Sequence, residues 1–225
     1  MRIGKLWAMA AIVAGCLSAS VGASAQDDMQ ASEAQAKKVL REMAEKTRAY
    51  TSIEMRFSAL YENKRTGDKN ASDGLLKVKG EKYMLDLNDM VTYSDEATVS
   101  VWQKKINELT ISEHDAEAEG DMTPAKLFGA YEVGYKLRFL GVSTIGGEEC
   151  EEVDLYPTAA KSPLVRIRLS ISKKTRQLRR FYQQYKLGET LTVDVKSFAV
   201  NKPMADKDIA FDKEAHKDVE IVDLR

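Results

Sequence analysis

Side chains able to do acid–base or metal chemistry are few in this chain and scattered. Its two histidines, His114 and His216, lie far apart in polar surroundings, which predicts exposed surface positions rather than a metal site or a proton-transfer pair. Asp206, Asp208 and Asp212 carry the oxygens calcium prefers. The glycine and closing glutamate of an EF-type loop are missing around them, so a solvated turn is expected. Cys150 stands just before the strand-like Val153-Asp154-Leu155, where a small, partly buried residue is expected rather than a reactive thiol. No glycine-rich phosphate loop, paired-cysteine zinc site or nucleophile-elbow serine is present. The residues therefore predict no enzyme, no metal and no cofactor.

What repeats is apolar side chains at every second position. Ile53, Met55, Phe57, Ala59 and Tyr61 alternate with Glu54, Arg56 and Ser58, the pattern of a strand with one buried face. Similar alternation returns at 74–79, 82–88, 90–93, 98–103, 106–111, 135–140, 151–156, 164–172, 177–186, 189–198 and 219–224, with short turn-like interruptions between. A polar stretch at 62–73 reads as a mobile hairpin loop, and the acidic run 113–121 as a solvated one. Two helices are expected. The first is capped by Ser32 with Gln35 completing a capping box, shows a face of Ala36, Val39, Leu40, Met43 and Thr47, and ends near Tyr50. The second starts at Thr123-Pro124 and carries Leu127, Phe128 and Tyr131.

About a dozen strands with two short helices, and no linker between them, predict a mainly β fold: an incomplete, highly curved antiparallel barrel with a helical lid. Two helices cannot easily cover so large an apolar face. Part of it is therefore expected to line a cavity for an apolar ligand, through Met55, Phe57, Tyr83, Leu85, Leu87, Trp102, Leu127, Phe128, Tyr131, Leu137, Phe139, Ile167 and Leu169.

The N-terminus reads as a secretory leader: Arg2 and Lys5, an apolar run at 6–17, and Ala23-Ser24-Ala25 as a cleavage site before Gln26. The expected division is a signal peptide at 1–25 and one exported domain at 26–225. Val13-Ala14-Gly15-Cys16 also fits a lipobox, in which Cys16 would be acylated and anchor the protein. The leader holds two basic residues and no acidic one, so the mature chain keeps 32 basic against 35 acidic residues, a net charge of −3. That balance argues against nucleic acid as a partner. With Cys16 removed or acylated, Cys150 has no intrachain partner, and stability must come from the apolar core.

Several segments carry a resemblance to a known family. Residues 91–102 end in Asp95-Glu96-Ala97-Thr98 and Trp102, close to a D-G-K-T-x-W hairpin with Glu96 in place of glycine. Ile106-Asn107-Glu108-Leu109-Thr110-Ile111, then Pro124-Ala125-Lys126-Leu127-Phe128 with Tyr131, Tyr156-Pro157 and the stretch 219–225 complete the set. Together they resemble the LolA-type periplasmic carriers of outer-membrane lipoproteins, in particular the Bacteroidetes branch, over roughly residues 31–225. The resemblance implies a monomer that shelters acyl chains in its apolar interior. It would take acylated lipoproteins from an inner-membrane ABC transporter and deliver them to the outer membrane, where an acceptor would receive them. Many carriers place a lid-holding arginine after a Val-Lys pair; here Val78-Lys79 is followed by Gly80-Glu81, and lysine lacks the bidentate fork. A lipid- or peptide-sensing module on the same fold, or an outer-membrane-anchored acceptor if Cys16 is acylated, are the alternatives.

Overall fold

The structure is a computed structural model that describes residues 20–95, 97–114, 128 and 133–225, with side chains from residue 27 onward. A long helix, α1 (Ser20–Arg48), leads into twelve strands: β1 (Ile53–Asn63), β2 (Lys69–Lys79), β3 (Lys82–Leu87), β4 (Met90–Ser94), β5 (Thr98–Gln103), β6 (Glu108–Glu113), β7 (Tyr135–Ile145), β8 (Glu148–Pro157), β9 (Leu164–Ser172), β10 (Leu178–Tyr185), β11 (Glu189–Val200) and β12 (Glu220–Asp223). They form one sheet in the order β12-β6-β5-β4-β3-β2-β1-β11-β10-β9-β8-β7. The ends of that order do not pair, so the barrel stays open as predicted. All neighbours are antiparallel except β12, which runs parallel to β6, because residues 201–219 first cross the sheet's outer face.

Two local expectations are corrected. Ser32 is not a helix cap: α1 runs through it from Ser20, and its hydroxyl bonds the backbone of β7 instead. The polar stretch 62–73 is mostly strand, because Tyr61 pairs with Asn70 and Glu62 with Lys69 in the β1–β2 ladder; backbone pairing outweighs the polarity of side chains that face water. The connection shrinks to a tight turn in which Asn63 Oδ1 accepts from the amides of Arg65 and Thr66, with Gly67 at φ 81°. The acidic run and the second helix lie outside the described residues apart from Glu113, His114 and Phe128; Phe128 is helical and buried.

Alternation and register divide the sheet into two faces. The concave face gathers Met55, Phe57, Leu76, Val153, Leu155, Leu169 and Phe181 into the main core, closed by Ala36, Val39, Leu40 and Met43 of α1. In the β1–β11 ladder Arg56 pairs with Ser197 and Phe57 with Val195, so β11 bulges at Lys196, which lets Val193, Val195 and Phe198 all face the core. Phe57 lies over Gly74, its cross-strand partner, so closely that a Cβ there would come within 2.2 Å of the ring. The convex face has its own smaller cluster under residues 204–216.

Candidate functional site: the concave face and its helix

Of the residues expected to line an apolar interior, the structure brings most together. Met55, Phe57, Tyr83, Phe128, Leu137, Ile167 and Leu169 are buried in the concave core, with Leu85, Leu87 and Phe139 partly buried against it. Leu127 and Tyr131 lie outside the described residues. Trp102 is elsewhere. Its register partners are Val91 on β4 and Leu109 on β6, which places its ring on the convex face with Met84, Val91 and Ile209. There it packs on Phe211, with centroids 5.8 Å apart, and on His216 at 4.2 Å. His216 is thus half-buried rather than exposed, because the C-terminal crossing folds back over Trp102. His114, at the end of β6, is partly buried as well. The signal available in the sequence was the apolar content of that crossing, Met204, Ile209 and Phe211, which needs a sheet face of its own.

Sequence reasoning missed other concave residues, among them Leu76, Val153, Leu155, Phe181 and Val193. It also missed the polar groups that fasten α1. Ser32 Oγ accepts from the Phe139 amide at 3.0 Å and donates to the Phe139 carbonyl at 3.1 Å, occupying the place of a partner strand on β7. Gln35 Nε2 donates to Glu151 Oε1 at 3.4 Å. Arg176, in the β9–β10 turn, bonds Glu42 Oε2 at 2.8 Å and also Glu151 Oε2. Positions 32, 35, 39 and 42 share one helix face by spacing, so the stripe was readable, but its partners on β7, β8 and a turn were not.

The helix is therefore held by apolar contacts from below and by three polar ties along one side. Lys79 takes no part in this. Its ammonium meets Asp206 of the C-terminal crossing at 2.7 Å, and that salt bridge holds the Asp206 carboxyl below its usual range. Asp208 accepts from the Ala205 amide, and Asp212 from those of Glu214 and Ala215, so these aspartates cap turns. Cys150 is fully buried, and burial, aided by the Glu148 charge, pushes its thiol pKa up, the opposite of activation.

On the convex face, Asp154 is buried under Arg166 and Arg168, with contacts of 3.1 and 2.6 Å, and accepts from Tyr156 at 3.0 Å. Burial pushes its carboxyl up. The hydrogen bonds from Arg168 and Tyr156 and the two guanidinium charges more than offset this and hold it below the ordinary aspartate range. A separate pocket of about 170 Å³ lies under the C-terminal crossing, lined by Lys82, Tyr93, Ser94, Asp206 and Phe211 among others.

No protein-family model and no curated protein matches the chain. Among solved structures it is similar to an uncharacterized conserved protein from Thermus thermophilus, with a TM-score of 0.58 and 12% identity over 84% of this chain and 99% of that one. At that identity the likeness concerns the fold alone. Structures matched at lower scores include a LolA superfamily protein from Nitrosomonas europaea (TM-score 0.44, 10% identity, 78% of this chain and 97% of that one). Another is a putative outer membrane lipoprotein-sorting protein domain from Vibrio parahaemolyticus (0.45, 8%, 82% and 99%).

Proposed function

We propose that the concave face binds acyl chains, and that the protein is a periplasmic carrier which shelters the lipid moiety of lipoproteins between an inner-membrane ABC transporter and an outer-membrane acceptor. One observation carries this reading: a large apolar sheet face is closed by the apolar stripe of a single described helix that is tied along one edge. Such a helix can be exchanged for another apolar body of similar extent. Among the described residues no helix is long and apolar enough to cross a membrane, and the sequence resemblance to LolA-type carriers supports the same use of the fold.

Magnitudes make the exchange workable. Val39, Leu40 and Met43 bury roughly 1.5–3 kcal/mol each, so lifting α1 costs roughly 5–9 kcal/mol. An acyl chain of about 15 methylenes returns about 12 kcal/mol gross at roughly 0.8 kcal/mol per methylene. The difference, roughly 3–7 kcal/mol, corresponds to millimolar-to-micromolar affinity, weak enough for an acceptor to exceed. A carrier without a displaceable helix would hold its cargo too tightly to deliver it.

Leu85 tests the reading, since it is partly buried on the concave wall opposite Leu76. Leu85→Glu should keep its fold, because the carboxylate can reach water, yet lose binding of a fluorescent palmitoyl probe by about tenfold or more. A mutant that melts normally and binds the probe as well as wild type would remove this wall from the site. Co-purification of acylated proteins from the periplasm would support carriage over other lipid-binding roles.

A further inference from the structure

The ends of seven strands meet on the side of the sheet away from the ties of α1: β1 ends there, β2 and β7 begin, β8 ends, β9 begins, β10 ends and β11 begins. Hydrogen bonds join their connections into a continuous rim. The Lys64 amide donates to Gly188 O at 3.2 Å, the Lys186 amide to Pro163 O at 2.9 Å, and the Thr158 amide to Gly134 O at 2.8 Å. This rim exposes large apolar side chains that the rest of the fold would be expected to hide: Val133 is 87% exposed and Leu187 66%, with Tyr61 and Val165 beside them. Single exposed apolar residues are ordinary, but four along one rim are a patch.

Between them stand cations. Lys64, Arg65, Lys136, Lys161 and Lys186 are all exposed, and none of them has a carboxylate in ion-pair contact among the described residues. Among the described residues the carboxylates nearby are Glu62, which is tied to Lys69 at 2.5 Å, Asp68, which accepts from Thr66, and Glu189. The rim is thus net positive on a chain whose overall charge is −1. Apolar tips set among lysines that no described carboxylate pairs with match a lipid interface, where ammonium groups meet phosphates while leucine and valine reach the hydrocarbon beneath.

We propose that this rim docks on an anionic phospholipid surface and sets the open end of the concave face against the bilayer. An acidic protein surface would satisfy the lysines but offers no general place for Val133 and Leu187. The use of such docking, transfer of an acyl chain without exposure to water, rests on the acyl-binding reading above; the docking itself does not.

The experiment is co-sedimentation of the full protein with phosphatidylcholine vesicles, with and without about 30% phosphatidylglycerol. Wild type should bind the anionic vesicles, bind neutral ones at least about tenfold more weakly, and be released by high salt. Lys64→Glu with Lys161→Glu should lower partitioning by about tenfold, and Leu187→Ser severalfold, with unchanged melting temperatures. Lys174→Glu, exposed on the β9–β10 turn at the opposite end, should bind as wild type does. Absence of binding to anionic vesicles at low salt, equal binding to neutral ones, or an equal loss in Lys174→Glu would overturn the proposal. Palmitoyl-probe binding in solution, measured on the same variants, should be unchanged and so reports on the acyl site separately.

Discussion

Arg176 holds two carboxylates from different elements, Glu42 of α1 and Glu151 of β8, from a backbone at φ 58°. That left-handed conformation costs a non-glycine residue roughly 1–2 kcal/mol, a strain that the two ion pairs offset. Arg176→Gly should therefore remove the tie while relieving the backbone, leaving global stability within about 1 kcal/mol by urea denaturation but speeding hydrogen exchange in α1. Unchanged exchange there would mean that the arginine does not fasten the helix. Lys79→Ala should leave exchange in α1 unaltered, because Lys79 holds Asp206 instead. Asp154 gives a pH dependence. Its folded-state pKa lies below the unfolded value of about 3.9, so its contribution is fully present above that value and is lost as pH falls through the folded pKa. Stability should be level at neutral pH and decline below about pH 4. Asp154→Ala removes the carboxylate that two guanidinium groups share but leaves Arg168 beside Glu152 and Arg166 bonded to Gln184, so it should cost about 1.5–3 kcal/mol at pH 7 and flatten the part of the acid decline that Asp154 supplies.

At the scale of elements, most strands were legible because their alternation is regular. Val165, Ile167, Leu169 and Ile171 place β9 without ambiguity, and its predicted bounds match those observed. What was not legible depended on partners distant in sequence. Lys69, Asn70 and Asp73 look like loop residues until β1 is set beside them, and Ser32 looks like a cap until β7 gives its hydroxyl a backbone to bond. Trp102 shows the same limit from the other side: alternation says that it faces away from Val101, but not which face is concave. Gly74 is a further position whose role needs the partner strand, since Phe57 occupies the space above it. Gly74→Ala should displace that ring and cost about 1–3 kcal/mol by thermal or urea denaturation. A neutral result would show that Phe57 has room to move, and with it that the concave face is less tightly filled than its burial indicates.

For the molecule as a whole, the open twelve-stranded sheet, its apolar interior and a helix with an apolar face to cover it followed from the sequence, while the polar ties that fasten that helix did not. Four side chains of α1 occupy the concave face, so the apolar ligand expected there must compete with a part of the protein itself. Ligand binding and helix release are then one event. Hydrogen exchange at Ala36, Val39, Leu40 and Met43, measured with and without a saturating dipalmitoylated peptide, tests this most directly. These amides, protected in the free protein, should lose protection by at least about tenfold in the complex while β9 and β10 keep theirs. A complex that forms with α1 as protected as before would contradict the coupling, because the chain would then be bound somewhere other than beneath the helix.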